Sequence, residues 1–307
     1  MEIGQIQESY DRAVALMSSG DEDGAAALFR EILEHEPASP ETQSVAQNIF
    51  FAMVHNNLGV IASSKGDNDT AADCFRSALD FAPGHVESIT NLGTLRELKG
   101  NIEGAVEFYR QALDLRDDFE PARLCLARCL SNAGSTYFSQ GDLEDSLRCY
   151  EEAREVTPGD PSTHSNIGLV HQRCDRPEEA IVSYKRALAI DPRFEHALGN
   201  LADIYVNLER PDEARPLAEA GLEWHPRSAL LNLTMAKCHR VAGEYEDAIA
   251  RLTPLANPAA SDRLSAEVYL ELMKNHDALG NQGDAERCMR IVEGIAGRIP
   301  GLSGGAR

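Results

Sequence analysis

"PSTHSNIGLVHQRCDRPEEAIVSYKRALAIDPRF", residues 161–194, decides the fold, because the same skeleton returns when this stretch is slid along the chain. Moved forward by 34 residues, Ile167, Ala180, Ala187 and Pro192 fall on Leu201, Ala214, Gly221 and Pro226. Earlier in the chain, residues 86–119 carry the skeleton as Leu92, Gly93, Gly100, Ala105, Tyr109 and Ala112. Residues 52–85 carry it as Leu58, Gly59, Gly66, Ala71, Phe75, Ala78 and Pro83.

Each recurring position has a physical reason. Gly59, Gly93, Gly134 and Gly168 on a first helix, with Ala71, Ala105 and Ala180 on a second, allow two helix backbones to approach closely. Phe75, Tyr109, Tyr150 and Tyr184 fill the space beside them. Gly66-Asp67 and Gly141-Asp142 join a glycine that tolerates positive φ to an acidic N-cap, the signature of a tight turn between helices. Pro83, Pro158, Pro192 and Pro226 close the second helix, since proline lacks the N–H and disfavours helix in the residue before it.

This pattern resembles the tetratricopeptide repeat, a helix-turn-helix unit with small residues at positions 8 and 27, Ala at 20, an aromatic at 24 and Pro at 32. The resemblance implies an all-α, right-handed superhelical solenoid of about eight units. They are expected at 6–39, 52–85, 86–119, 127–160, 161–194, 195–228, 229–262 and 266–299, with the terminal ones less regular. Two interruptions, 40–51 and 120–126, are expected to lengthen the first helices that follow them, with Pro40 and Pro121 in their first turns. Residues 300–307 are expected to be a disordered tail.

One polar residue recurs where an amphipathic helix would not need it. Asn57, Asn91, Asn132, Asn166 and Asn200 all fall at position 6. In this family the first helices line a concave surface, and the arrangement is similar to the asparagine ladder in the repeats of O-GlcNAc transferase, whose amides grip an extended polypeptide. An amide has two donors and two acceptor lone pairs, so it bonds a peptide N–H and C=O without regard to sequence. With first helices about 10 Å apart and an extended chain rising about 3.3 Å per residue, one Asn meets every third ligand residue, and five hold roughly 13 to 15. The expected lining also includes Asn56, Thr94, Arg128, Ser131, Ser165 and Arg173, mostly small and uncharged. About ten peptide hydrogen bonds at about 1 kcal/mol each would roughly balance the entropy of ordering such a segment, so selectivity must come from anchors or charge outside the ladder.

Composition narrows the partner. A formal net charge of -21 excludes duplex nucleic acid as the main ligand, because binding there rests on Lys and Arg. Residues 1–160 hold 29 acidic and 12 basic side chains, and 161–307 hold 21 and 17, so a basic segment is drawn to the N-terminal half. No apolar run approaches a membrane span and no leader is legible, which predicts a cytoplasmic protein without membrane insertion. The 7 cysteines form no CxxC pair, and His55, His164, His171, His239 and His276 sit where the family keeps packing residues, so no metal or cofactor is expected. "GLSGG" (301–305) matches a nucleophile elbow in letters alone, with no strand before it. A non-enzymatic adaptor holding an extended or disordered protein segment is the expectation. A homo-oligomeric scaffold assembled through the array ends, and a substrate-recruiting subunit of a separate enzyme, are the rivals.

Overall fold

The computed structural model describes residues 3–37, 39–260 and 262–298. The tail expected at 300–307 lies outside them. Helix runs through nearly everything described, as eight successive pairs of helices. They are α1 (Ile3–Ser19) with α2 (Glu22–Leu33), α3 (Val45–Ser64) with α4 (Asn68–Phe81), α5 (Val86–Leu98) with α6 (Ile102–Leu115), and α7 (Glu120–Gln140) with α8 (Leu143–Val156). The chain continues with α9 (Pro161–Arg173) and α10 (Pro177–Ile190), α11 (Glu195–Asn207) and α12 (Pro211–Trp224), α13 (Ala229–Val241) and α14 (Tyr245–Leu252), and α15 (Arg263–Ala278) and α16 (Gln282–Ala296). They form two compact units, one of residues 1–140 and 152–158, the other of 141–151 and 159–307.

Packing inside a hairpin follows the small-against-aromatic rule. A Cβ built on Gly59 would stand 2.5 Å from the Phe75 ring, on Gly93 2.7 Å from Tyr109, and on Gly168 2.8 Å from Tyr184. Those rings lie where any side chain at position 8 would go, and all three are essentially fully buried. In the N-terminal unit, Tyr10, Phe29, Phe50, Phe51 and Phe81 add an aromatic cluster with neighbouring centroids 5.2 to 5.8 Å apart. Phe29 and Phe51 are buried, each stabilising by about 1.5 to 3 kcal/mol relative to exposure.

The turns obey backbone chemistry. Gly20, Gly66, Gly100 and Gly141 follow first helices with φ between 76° and 90°, and Asp21, Asp67 and Asn101 then accept from the third backbone N–H of the next helix. In the fifth and sixth hairpins the left-handed position is taken by Asp175 and Glu209, both at φ 57°.

One expectation about length is corrected. Residues 40–51 do not form one continuous extension. Pro40–Thr42 is a separate 3-10 turn, and α3 starts at Val45 behind Ser44, whose hydroxyl and Gln47 form a reciprocal capping box. That capping arrangement outcompetes Pro40 as the start. The second interruption does join its helix, so α3 and α7 reach 20 and 21 residues where α5, α9 and α11 have 13. In the seventh hairpin the second helix stops after 8 residues, because Pro254 tightens the chain into the 3-10 turn Thr253–Leu255.

Candidate functional site

Position 6 sits on the edge of each first helix's buried stripe, which leaves Asn57, Asn91, Asn166 and Asn200 half-buried and Asn132 exposed. Three of the amides are tied to neighbours. Asn57 Nδ2 donates to the Tyr10 hydroxyl at 3.2 Å, and Asn91 Nδ2 donates to Asn56 Oδ1 at 2.9 Å. Asn200 bonds the Tyr184 hydroxyl, whose pKa burial pushes far above its ordinary value. Asn132 and Asn166 make no side-chain hydrogen bond among the described residues. Asn57 and Asn91 thus each use one N–H to set the plane of the amide, leaving the carbonyl oxygen and the other N–H.

Position 5 does not line an open surface, which corrects the expectation for Asn56 and Ser165. Asn56, Thr90 and Ser165 are buried, and so is Gly199, where a Cβ would stand 2.4 Å from Leu230 Cδ2. Neighbouring first helices meet at this position, so its small residues serve close approach rather than room for a ligand. Asn56 Oδ1 takes a second bond from Ser88 Oγ at 3.1 Å, making Ser88, Asn56 and Asn91 one chain of amide and hydroxyl groups. Ser131 is half-buried. Thr94 is half-buried and donates to the Thr90 carbonyl at 3.2 Å.

The charged residues expected in the lining are exposed. Arg128 forms a two-pronged pair with Glu97, at 2.6 Å to Oε1 and 3.1 Å to Oε2, and Tyr109 donates to the same carboxylate at 2.9 Å. Burial and then this neighbourhood raise the Tyr109 pKa far above the ordinary phenol range. The Arg128 fork is therefore engaged by the chain itself, although half of the side chain stays accessible. Arg173 is exposed at the end of α9.

In the C-terminal unit the corresponding face is charged, which the composition reading missed. Lys237 Nζ stands 2.5 Å from Asp203 Oδ1, both largely buried. Glu271, at position 6 and 1% exposed, pairs with Arg240 and, at 3.2 Å, with Lys274. A usable signal was present: Asp203 and Lys237 occupy position 9 of successive repeats with opposite charge.

Among the described residues one group has the donors for a metal ion, His239, Glu244 and Asp247, within 4.8 Å of one another. Glu244 Oε2 already accepts from His239 Nδ1 at 2.6 Å and from Arg215 at 3.1 Å, and a guanidinium there opposes a cation. His239 is thereby a hydrogen-bond partner of Glu244 rather than the packing substitute expected. His171 and His276 each have a buried Nδ1 without a partner, consistent with a ring used for packing.

Sequence profiles of the tetratricopeptide repeat match residues 54–85, 85–158, 132–193, 175–229 and 209–270. The matches run unbroken from residue 54 to residue 270, more than two thirds of the chain. The chain belongs to the tetratricopeptide repeat family. Tetratricopeptide repeats mediate protein–protein interactions, through surfaces made by stacking one supersecondary unit on the next. Over 100 residues the chain is 28% identical to the protein STIP1 homolog of Dictyostelium discoideum, covering 33% of this chain and 18% of that protein. Over 75 residues it is 33% identical to the peroxisomal targeting signal receptor of Saccharomyces cerevisiae, covering 24% and 12%. The matched stretches therefore span less than a fifth of the length of either relative. Among solved structures, PilF of Pseudomonas aeruginosa aligns with a TM-score of 0.49 at 19% identity, over 75% of this chain and 99% of that one. No described helix is long and apolar enough to cross a membrane.

Proposed function

We propose that this tetratricopeptide repeat protein is a non-enzymatic adaptor whose first-helix faces hold an extended segment of a partner protein. Asn57, Asn91 and Asn132 act in the N-terminal unit, and Asn166 and Asn200 in the C-terminal one. The observation that carries the reading is the state of Asn57 and Asn91: each is oriented by one intramolecular bond and still offers a carbonyl oxygen and an N–H. A pre-oriented amide loses little entropy on binding a peptide group, so most of each hydrogen bond, about 1 kcal/mol, goes into affinity. Engagement of Asn91 by Asn56 adds to this function, because a wandering amide would bind less well. The acidity of residues 1–160 favours a partner segment rich in Lys or Arg.

The test compares wild type with a variant carrying Asn→Ala at 57, 91, 132, 166 and 200, immobilised and exposed to cell lysate. Loss of the bound partners with circular dichroism unchanged is the expected result. Tyr10→Phe is the control for structure, since it removes the bond that orients Asn57 without altering the amide; it should weaken capture less than Asn57→Ala. Full retention by the five-fold variant would reject the ladder and move binding to another surface.

A further inference from the structure

The first half of α3 carries an apolar stripe that stays partly exposed. Val45, Ile49 and Met53 recur every fourth residue, 76%, 45% and 37% exposed, and Asn57 is the next residue on that line. The core is served by other faces of the helix, through Phe51, Val54 and Leu58. Beside the stripe lies a cavity of about 560 Å³, walled by Val45, Asn48 and Ile49 on one side and by Phe81, Val86 and Leu115 across it. It occurs because α5 begins only at Val86, so no extended first helix fills the place next to α3. Leu115 is itself 54% exposed. Asn48 Oδ1, in the same wall, is buried and has no hydrogen-bond partner. The other long first helix, α7, repeats the device: Leu124, 54% exposed, precedes Asn132 by the same interval as Ile49 precedes Asn57.

Charge around the cavity selects among occupants. Asp80 precedes the wall residue Phe81, Asp114 precedes Leu115, and Asp117 and Asp118 follow Arg116; all four carboxylates are exposed. Arg116, the cation in the wall, is held by Glu87 at 2.7 Å and stacks 4.1 Å from the Phe119 ring. A second copy of this chain, with its net charge of -21, would bring like charge to these exposed carboxylates, whereas a cationic segment is attracted to them.

We infer that this cavity is an anchor subsite for a bulky aliphatic side chain of the partner segment, with Lys or Arg flanking the anchor. The inference rests on the peptide-holding reading of the first-helix face and supplies the selectivity that backbone-directed amides lack. Its volume leaves room for such a side chain together with its neighbours in the segment.

The probe is a fluorescein-labelled Gly/Ser peptide of about 15 residues with a central Leu-Leu pair between lysines, followed by anisotropy. The expected result is binding at least about tenfold tighter than that of the same peptide with Ala-Ala. That difference should vanish in Ile49→Gln and Leu115→Gln, exposed sites where the fold is kept. Equal binding of the two peptides, no binding of either, or equal binding when the lysines are replaced by aspartates would overturn the inference. So would a wild-type dimer in sedimentation that becomes monomeric in Ile49→Gln, since the occupant would then be a second copy. The Ala-Ala peptide separates the two failures: its binding to wild type and not to the five-fold Asn→Ala variant keeps the ladder whatever becomes of the anchor.

Discussion

The first helices of the two units answer one geometric problem with opposite chemistry. In α3 and α5 of the N-terminal unit, neighbours are joined by Ser88, Asn56 and Asn91, neutral groups with bonding capacity left over. In α11, α13 and α15 of the C-terminal unit they are joined by Asp203 to Lys237 and by Arg240 to Glu271, full charges already matched. A charge half-removed from water must be satisfied by the protein itself, so such pairs have little left for a ligand. An amide bonded once has not reached that state. Under the proposed function, the contrast predicts that Asn57 and Asn91 contribute more to holding a peptide backbone than Asn166 and Asn200, because more of the C-terminal unit's face is spent on its own cohesion.

The sharpest way to break this comparison is to delete one partner on each side. Glu271→Ala leaves Arg240 without its buried counter-charge and should cost about 3 kcal/mol or more, read as a fall in the urea midpoint of unfolding. Asn91→Ala should cost only about 1 kcal/mol, because Asn56 Oδ1 keeps Ser88 as a donor. Equal costs would show that the two faces are not energetically different. A second contrast lies in the turns. Asp175 and Glu209 adopt the left-handed conformation that glycine takes in the other hairpins, so Asp175→Gly and Glu209→Gly should each stabilise by about 1 kcal/mol, and Gly66→Ala should destabilise.

The smallest expected effect is on pH. Burial holds the pKa values of His85 and His171 below the ordinary imidazole value. Below about pH 6.5 the unfolded chain therefore binds protons that the folded chain refuses, and stability falls as pH drops from there towards the folded-state pKa. His85 has a specific consequence, since its Nδ1 accepts from the Ser88 N–H and caps α5. Unfolding midpoints at pH 7.5 and 5.5 should separate, and His171→Phe should narrow the gap. A gap unchanged in that variant would remove His171 as a contributor.

Much of the architecture was legible because its signals are local and repeat. A glycine at position 8 facing an aromatic at 24 is one contact written several times over, and Gly66 followed by Asp67 states both the end of one helix and the start of the next. The start of α3 was misplaced for a local reason too: two start signals, Pro40 and Ser44, compete within five residues, and the reciprocal Ser44–Gln47 bonds win. The role of position 5 was not legible. A small residue means close approach or an open floor with equal ease, and only the neighbouring helix, with Leu230 against Gly199 and Ser88 against Asn56, distinguishes them.

Periodicity, turn chemistry and the register of the five asparagines were thus determined by the sequence alone, since each depends on residues within one helical hairpin or one repeat length. Which polar groups remain free, which charges are buried in pairs, and that α3 walls an unfilled cavity beside α5 were decided by the tertiary structure. The reason is that burial and hydrogen-bond satisfaction belong to pairs of surfaces, and a linear pattern states only one surface of each pair.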